Sequence, residues 1–150
     1  MVTGKFLTGK DDLSHVFQIR EEVFCKEQNI AKELERDAWD QGAIHVLIHD
    51  HGCNVATGRL LQKDGEYSIG RVAVIKEERG KYYGDLVVRM LVDKAFRLGA
   101  KKVVIHAQSQ TVLFYQKIGF VQDGEECVIA GINHIPMKIE QLACSKCHKE

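Results

Sequence analysis

Residues 71–107 read RVAVIKEERGKYYGDLVVRMLVDKAFRLGAKKVVIHA, and the order of patterns within them decides the fold. Arg71-Val72-Ala73-Val74-Ile75 is a short, β-branched run suited to a buried strand. From Gly84 onward Val87, Leu91, Ala95 and Leu98 recur at helical spacing, Gly99 closes that helix as a left-handed cap, and Lys101 to Ala107 returns as a strand. Strand, loop, helix and strand make a crossover unit. The loop before the helix is where an anion binds, because N–H groups at a helix start have no internal partner and the helix dipole adds positive character there. Arg79, Gly80, Lys81, Tyr82, Tyr83 and Gly84 supply that loop with two cations and two glycines.

Outward from this unit the chain alternates strand and turn signals. Val2 to Leu7 suits a first strand, and Asp11 or Asp12 can cap a helix whose apolar face is Leu13, Val16, Phe17, Val23 and Phe24, ending near Gln28. Ala31 to Gln41, with the single Trp39, reads as a short helix or loop covering an opening. Ala43 to His49 and Val55 to Gln62 are strand-like, and the turns at residues 50–54 and 63–66 imply an antiparallel meander. Beyond the centre, Phe114 to Phe120 forms a short aromatic helix. Val121 to Ile129 and His134 to Ile139 then pair across residues 130–133, with Pro136 suggesting an edge position. The tail from Leu142 is polar and unpatterned, so residues 1–141 are expected to be one domain and 142–150 an appendage.

Composition narrows the function classes. A chain of 150 residues that is 45% hydrophobic buries a substantial core. Lys+Arg and Asp+Glu both number 21, so there is no global electrostatic case for nucleic acid or an anionic membrane. No signal-peptide core or membrane-length apolar run occurs, and a soluble cytoplasmic protein, monomer or homodimer, is expected. Five cysteines at irregular spacing suit free thiols in a reducing compartment. Cys144-Ser145-Lys146-Cys147-His148 matches a c-type haem attachment motif and half a zinc site. Haem attachment needs export, zinc needs further ligands such as His45 or His51, and the expectation is no metal.

The anion loop lacks a Lys-Ser or Lys-Thr pair after Gly84 and any Gly-x-Gly-x-x-Gly pattern, so it is neither a P-loop nor a dinucleotide fingerprint. It resembles the acyl-CoA loop of the GNAT superfamily of N-acetyltransferases, whose pattern is Gln or Arg, two residues, Gly, one residue, then Gly or Ala. Arg79 and Gly84 match, whereas Tyr82 stands at the position of the first glycine. Ala107-Gln108 followed by Phe114-Tyr115-Gln116-Lys117-Ile118-Gly119-Phe120 continues the resemblance. Ile19 to Phe24 with Glu27-Gln28, Ala43-Ile44-His45, and Gly131-Ile132-Asn133-His134-Ile135 are similar to the ElaA-like branch, so the likeness spans roughly residues 5 to 140.

The resemblance implies an α/β fold of α+β type: a mixed, mainly antiparallel twisted sheet with a splayed central strand pair and flanking helices. It implies acetyl-CoA as donor, direct transfer to a small-molecule or peptide amine, and backbone groups of Val72, Ala73 and Val74 holding the pantetheine arm and the developing oxyanion. Arg79, Gly80, Lys81, Tyr82, Tyr83, Gly84 and Asp85 would take the pyrophosphate, Gln108 the pantetheine, and Tyr115 would lie near the sulfur. Chemically, Tyr115 can protonate the departing thiolate: with a thiol pKa of about 8.5 and a tyrosine of about 10, the transfer costs roughly 2 kcal/mol. Glu27, His45 and His134 have the chemistry of a base for the amine, burial being the means of raising Glu27. Cys25 beside Phe24 reads as an inert buried thiol, favouring direct transfer over a ping-pong route. The rival function is a non-catalytic acyl-CoA sensor or interaction module, motivated by Tyr82.

Overall fold

The computed structural model describes residues 1–129 and 131–141; Ala130 and the tail 142–150, with its Cys-x-x-Cys-His motif, lie outside the described residues. Eight strands form one mixed sheet: β1 (Thr3–Thr8), β2 (Ile44–Asp50), β3 (Cys53–Lys63), β4 (Glu66–Val74), β5 (Lys102–Gln108), β6 (Val121–Gln122), β7 (Cys127–Ile129) and β8 (Ile132–Glu140). Their spatial order is β1-β2-β3-β4-β5-β8-β6, with β7 also against β8. Among the described residues four α-helices flank it: α1 (Ser14–Arg20), α2 (Lys32–Glu35), α3 (Tyr83–Arg97) and α4 (Val112–Ile118). Among the described residues no helix is long and apolar enough to cross a membrane.

The meander is fixed by its turns. His51 and Gly52 take φ of 37° and 79°, and Asp64 and Gly65 take 53° and 80°. Two successive left-handed residues are what a two-residue hairpin needs to match strand twist. Side-chain alternation then sorts the two faces: Val46 and Ile48 join the cluster under α3, whereas Leu47 between them joins the cluster under α1. On α3, Val87, Val88, Leu91, Val92 and Ala95 are all buried. Each of the buried valine and leucine side chains contributes about 1.5–3 kcal/mol of transfer free energy.

Two local irregularities open the sheet. Against β4, the register of β3 shifts between Thr57 and Arg59, so that Gly58 faces an extra residue and Arg71 is driven to φ 53°. Gly58 is needed there, since a Cβ would stand 2.6 Å from Val87 Cγ1 and 3.1 Å from Leu91 Cδ1. β4 then pairs with β5, in parallel, at only Tyr67↔Val103 and Ser68↔Val104. Beyond these pairs the strands diverge, while β5 keeps its antiparallel ladder with β8 out to Gln108↔His134. The splayed central pair is present as expected.

Three features differ from the sequence expectation. The first helix does end at Gln28, but its second half, Glu21–Glu27, is a π-helix, with Gln28 N–H donating to Val23 O at 3.1 Å. Pro136 is not at an edge: β8 lies between β5 and the β6/β7 pair. Its carbonyl accepts from Asp123 at 2.8 Å, so its missing N–H faces the same outer side, where the neighbouring chain breaks between Gln122 and Cys127. Third, the segment expected to cover an opening anchors a buried ion network. Arg20, 1% exposed, donates to Glu35 Oε2 at 2.6 Å and Asp40 Oδ1 at 2.7 Å; Arg59 donates to Asp40 Oδ1 at 2.8 Å and Asp37 Oδ1 at 2.7 Å. Arg71 joins the same network, reaching Asp37 at 3.2 Å and the Glu35 carbonyl at 3.1 Å.

Candidate active site

The wedge between β4 and β5 widens into a cleft of 690 Å³ beside the start of α3. Its walls are Val72, Ala73 and Val74 from β4, the loop residues Arg79, Gly80, Tyr82, Tyr83, Gly84 and Asp85, and Phe114 and Tyr115 from α4. Backbone direction explains why β4 offers polar groups there. Ile75 donates to Val55 O on the β3 side, so Val74, one residue earlier, turns its N–H and C=O the other way. That carbonyl accepts from Arg79 Nε at 3.1 Å.

The start of α3 carries no side-chain cap, and its first N–H groups are available to an anion. Gly80 takes φ 84°, a region glycine enters freely. Tyr82, where the acyl-CoA loop pattern has glycine, takes φ 69° and is 83% exposed. The backbone has thus kept the left-handed turn and swung the ring into solvent. A Cβ on Gly84 would meet Phe114 and Val74 at 3.5 Å, ordinary contact that nonetheless fills the cleft.

Charge around the loop is already partnered. Arg79 grips Glu27 in both prongs, Nη1 to Oε2 at 2.7 Å and Nη2 to Oε1 at 2.6 Å. Lys81 reaches Glu78 at 3.0 Å, and Asp85 pairs with Arg89 at 2.7 Å. The Tyr83 hydroxyl donates to Asp50 and lies 3.2 Å from His51 Nε2, and the Asp50 bond pushes its pKa up to about 12.

Tyr115 is held edge-on by Phe114 and Phe120, with ring centroids 4.9 and 5.6 Å away. Burial pushes its hydroxyl up to about 12, making it a weaker acid than the sequence suggested. The expected bases fall in different places. The Arg79 guanidinium holds Glu27 below the usual carboxylate range, opposite to the elevation burial was expected to give. His134 lies near the start of β8, opposite Gln108, and is not in the cleft wall; its Nδ1–H donates to Ile132 O at 2.9 Å. His45 is fully buried in the ion network, its Nε2–H donating to Asp40 O at 3.0 Å, and burial lowers its pKa.

Of the two amides near the β5 end, Gln110 lines the cleft beside Thr111, whereas Gln108 does not and accepts from Gln110 at 2.8 Å. Val23 and Gln28, brought inward by the π-helical turns, and Lys117 on α4 also line it. Nothing in the sequence marked the π-turn. Nothing in the sequence marked Lys117 either, since residues two apart on a helix point to different faces. Cys25, Cys53 and Cys127 are free thiols, and none of them lines the cleft.

Residues 10–141 match a family model described as the acetyltransferase (GNAT) domain. An uncharacterized N-acetyltransferase, YjcF, from Bacillus subtilis (strain 168) is 36% identical over 129 residues, 85% of this chain and 92% of its own length. Among solved structures, ElaA of Escherichia coli superposes with a TM-score of 0.82 at 28% identity, covering 93% of this chain and all of its own. An acyl-CoA N-acyltransferase from Pseudomonas aeruginosa gives 0.81 at 27%, covering 93% of this chain and 99% of its own.

Proposed function

This chain belongs to the GNAT acetyltransferase family and is an acyl-CoA-dependent acetyltransferase, and from that premise we propose that it moves an acetyl group from acetyl-CoA to a small-molecule or peptide amine by direct transfer. The observation that carries the proposal is the cleft itself, in which an uncapped helix start, a diverging strand and an aromatic hydroxyl converge. The residues present fit the donor. The N–H groups at the start of α3 and Lys117, which makes no ion pair among the described residues, offer positive charge for phosphate at the wide end. Val72 to Val74 offer backbone groups along the wedge for an amide-bearing arm.

When bound, acetyl-CoA would supply an activated thioester carbonyl. The chain then has three tasks. Backbone groups of β4 orient the carbonyl and the arm; Phe114, Val72 and Val74 exclude water from that wall; and Tyr115 gives its phenolic proton to the departing sulfur. The acceptor approaches from the side of Val23 and Gln28. Glu27, next to Gln28, is the carboxylate nearest to that approach in sequence and serves the amine once Arg79 lets it go. His134 stands as a second candidate from β8, its Nε2 free to accept.

The test is binding followed by turnover. Acetyl-CoA at a hundredfold excess over its dissociation constant should stabilise the fold by roughly 2.7 kcal/mol, and ATP far less. Thiol release with an amine panel then identifies the acceptor. A melting temperature that neither CoA nor acetyl-CoA shifts would overturn the proposal.

A further inference from the structure

We propose that the Arg79–Glu27 pair is a latch over the donor site, in which the Glu27 carboxylate and the cofactor's diphosphate compete for one guanidinium. The inference rests on the proposed function above. All three nitrogens of Arg79 are engaged: Nε on the Val74 carbonyl at 3.1 Å, Nη1 and Nη2 on the two Glu27 oxygens at 2.7 and 2.6 Å. The side chain therefore straps the anion loop to the end of the π-helix and occupies a β4 carbonyl that faces the wedge. Lys81, the other cation of the loop, is bound to Glu78 at 3.0 Å. In this state the loop presents its glycines and helix N–H groups, but neither of its cations, to an incoming anion.

The strap is built to yield. Arg79 and Glu27 are 42% and 32% exposed, so their attraction is screened by water and salt. A diphosphate carries more charge than one carboxylate and also reaches the helix N–H groups and Lys117, which Glu27 does not. Once Arg79 turns to phosphate, two groups are freed together. The Val74 carbonyl becomes available to the arm in the wedge, and Glu27 becomes an unpaired anion beside Gln28, where a protonated amine would approach. Donor binding thus prepares the acceptor side without any movement of the sheet.

Calorimetric titration with CoA alone tests the latch without needing turnover. Glu27→Gln keeps the side chain's size and removes its charge. If a closed pair holds most molecules, the variant should bind CoA about fivefold more tightly at low salt, the fraction set free from an exposed, well-aligned ion pair. The gain should shrink as ionic strength rises, and it should vanish when Glu27→Gln is made in an Arg79→Ala background. Glu27→Gln binding CoA no more tightly than the wild type, while the wild type binds CoA, would overturn the latch and leave the transferase proposal standing. A wild type that does not bind CoA would overturn both.

Discussion

Replacing Tyr115 by Phe isolates one proton. The ring keeps its edge contacts with Phe114 and Phe120, and the hydroxyl's shift to about 12 comes from burial with no hydrogen bond contributing. The variant should therefore melt within a degree or two of the wild type. Its effect on rate follows from the acids available to the departing thiolate. From a phenol near 12 to a thiol near 8.5 the transfer is uphill by about 3.5 units, or ~5 kcal/mol at 1.36 kcal/mol per unit. From water at 15.7 it is uphill by about 7 units, or ~10 kcal/mol. With transfer about half complete in the transition state, the roughly 5 kcal/mol difference becomes ~2.5 kcal/mol, close to a hundredfold loss in kcat and at the low end for a general acid. The assay is thiol release at saturating acetyl-CoA with an acceptor from the amine panel, read against melting temperature. Because burial keeps the phenol protonated, Tyr115 should also impose no alkaline fall in kcat below about pH 11. An unchanged kcat, with chemistry shown to be rate-limiting, would mean that water or another group protonates the sulfur.

Other outcomes follow from the scaffold. Asp40 accepts from both Arg20 and Arg59, and these bonds hold its carboxyl well below the usual range. Its contribution is present above the unfolded value near 3.8 and is lost as pH falls below it, so the wild type should lose melting temperature there. Asp40→Ala, leaving two buried arginines short of a partner, should cost about 3–5 kcal/mol in denaturant unfolding at pH 7 and flatten that acid dependence. Tyr82→Gly should raise stability by about 0.5–1 kcal/mol, since relief of a left-handed residue, worth ~1–2 kcal/mol, exceeds the extra chain entropy of glycine. The same denaturant midpoint would show a loss instead if the exposed ring packed on something. Gly58→Val should destabilise by several kcal/mol, because its Cβ would already overlap Val87, and a midpoint unchanged from wild type would mean that α3 is free to lift.

The crossover unit, the meander and the cleft wall were legible because each rests on a local rule. Apolar spacing gives α3, left-handed dipeptides give the hairpins, and a glycine-bearing loop before a helix gives one wall of the cleft. What stayed hidden depends on contacts between distant residues. Arg20 shares the helical stripe of Leu13, Val16, Phe17 and Val23, an apolar-face position that signals a buried charge, but its partners lie in the short turns around Glu35 and Asp40. Glu27 could be read as a base from its chemistry, yet its grip on Arg79 spans 52 positions and reverses the expected direction of its titration. Gln108 matched its motif while Gln110, two residues on, took the cleft, because the 3-10 turn at Ser109–Thr111 re-aims the chain after β5.

The two-pair seam between β4 and β5 has a consequence for motion. Strands β1 to β4 form one antiparallel wing and β5 to β8 another, and across the seam they are joined by the ladder at Tyr67 and Ser68 and by the chain through α3. Two bridged pairs at the middle of a sheet resist hinging less than the seven-pair ladders of β3 with β4 and of β5 with β8 on either side. Anything extended that enters the wedge and bonds to both strands takes the part of a missing ninth strand, knitting two wings into one sheet. Amides flanking the gap, from Ile69 to Val74 and from Ile105 to Gln108, would then exchange with solvent as parts of a continuous ladder rather than as the margins of two.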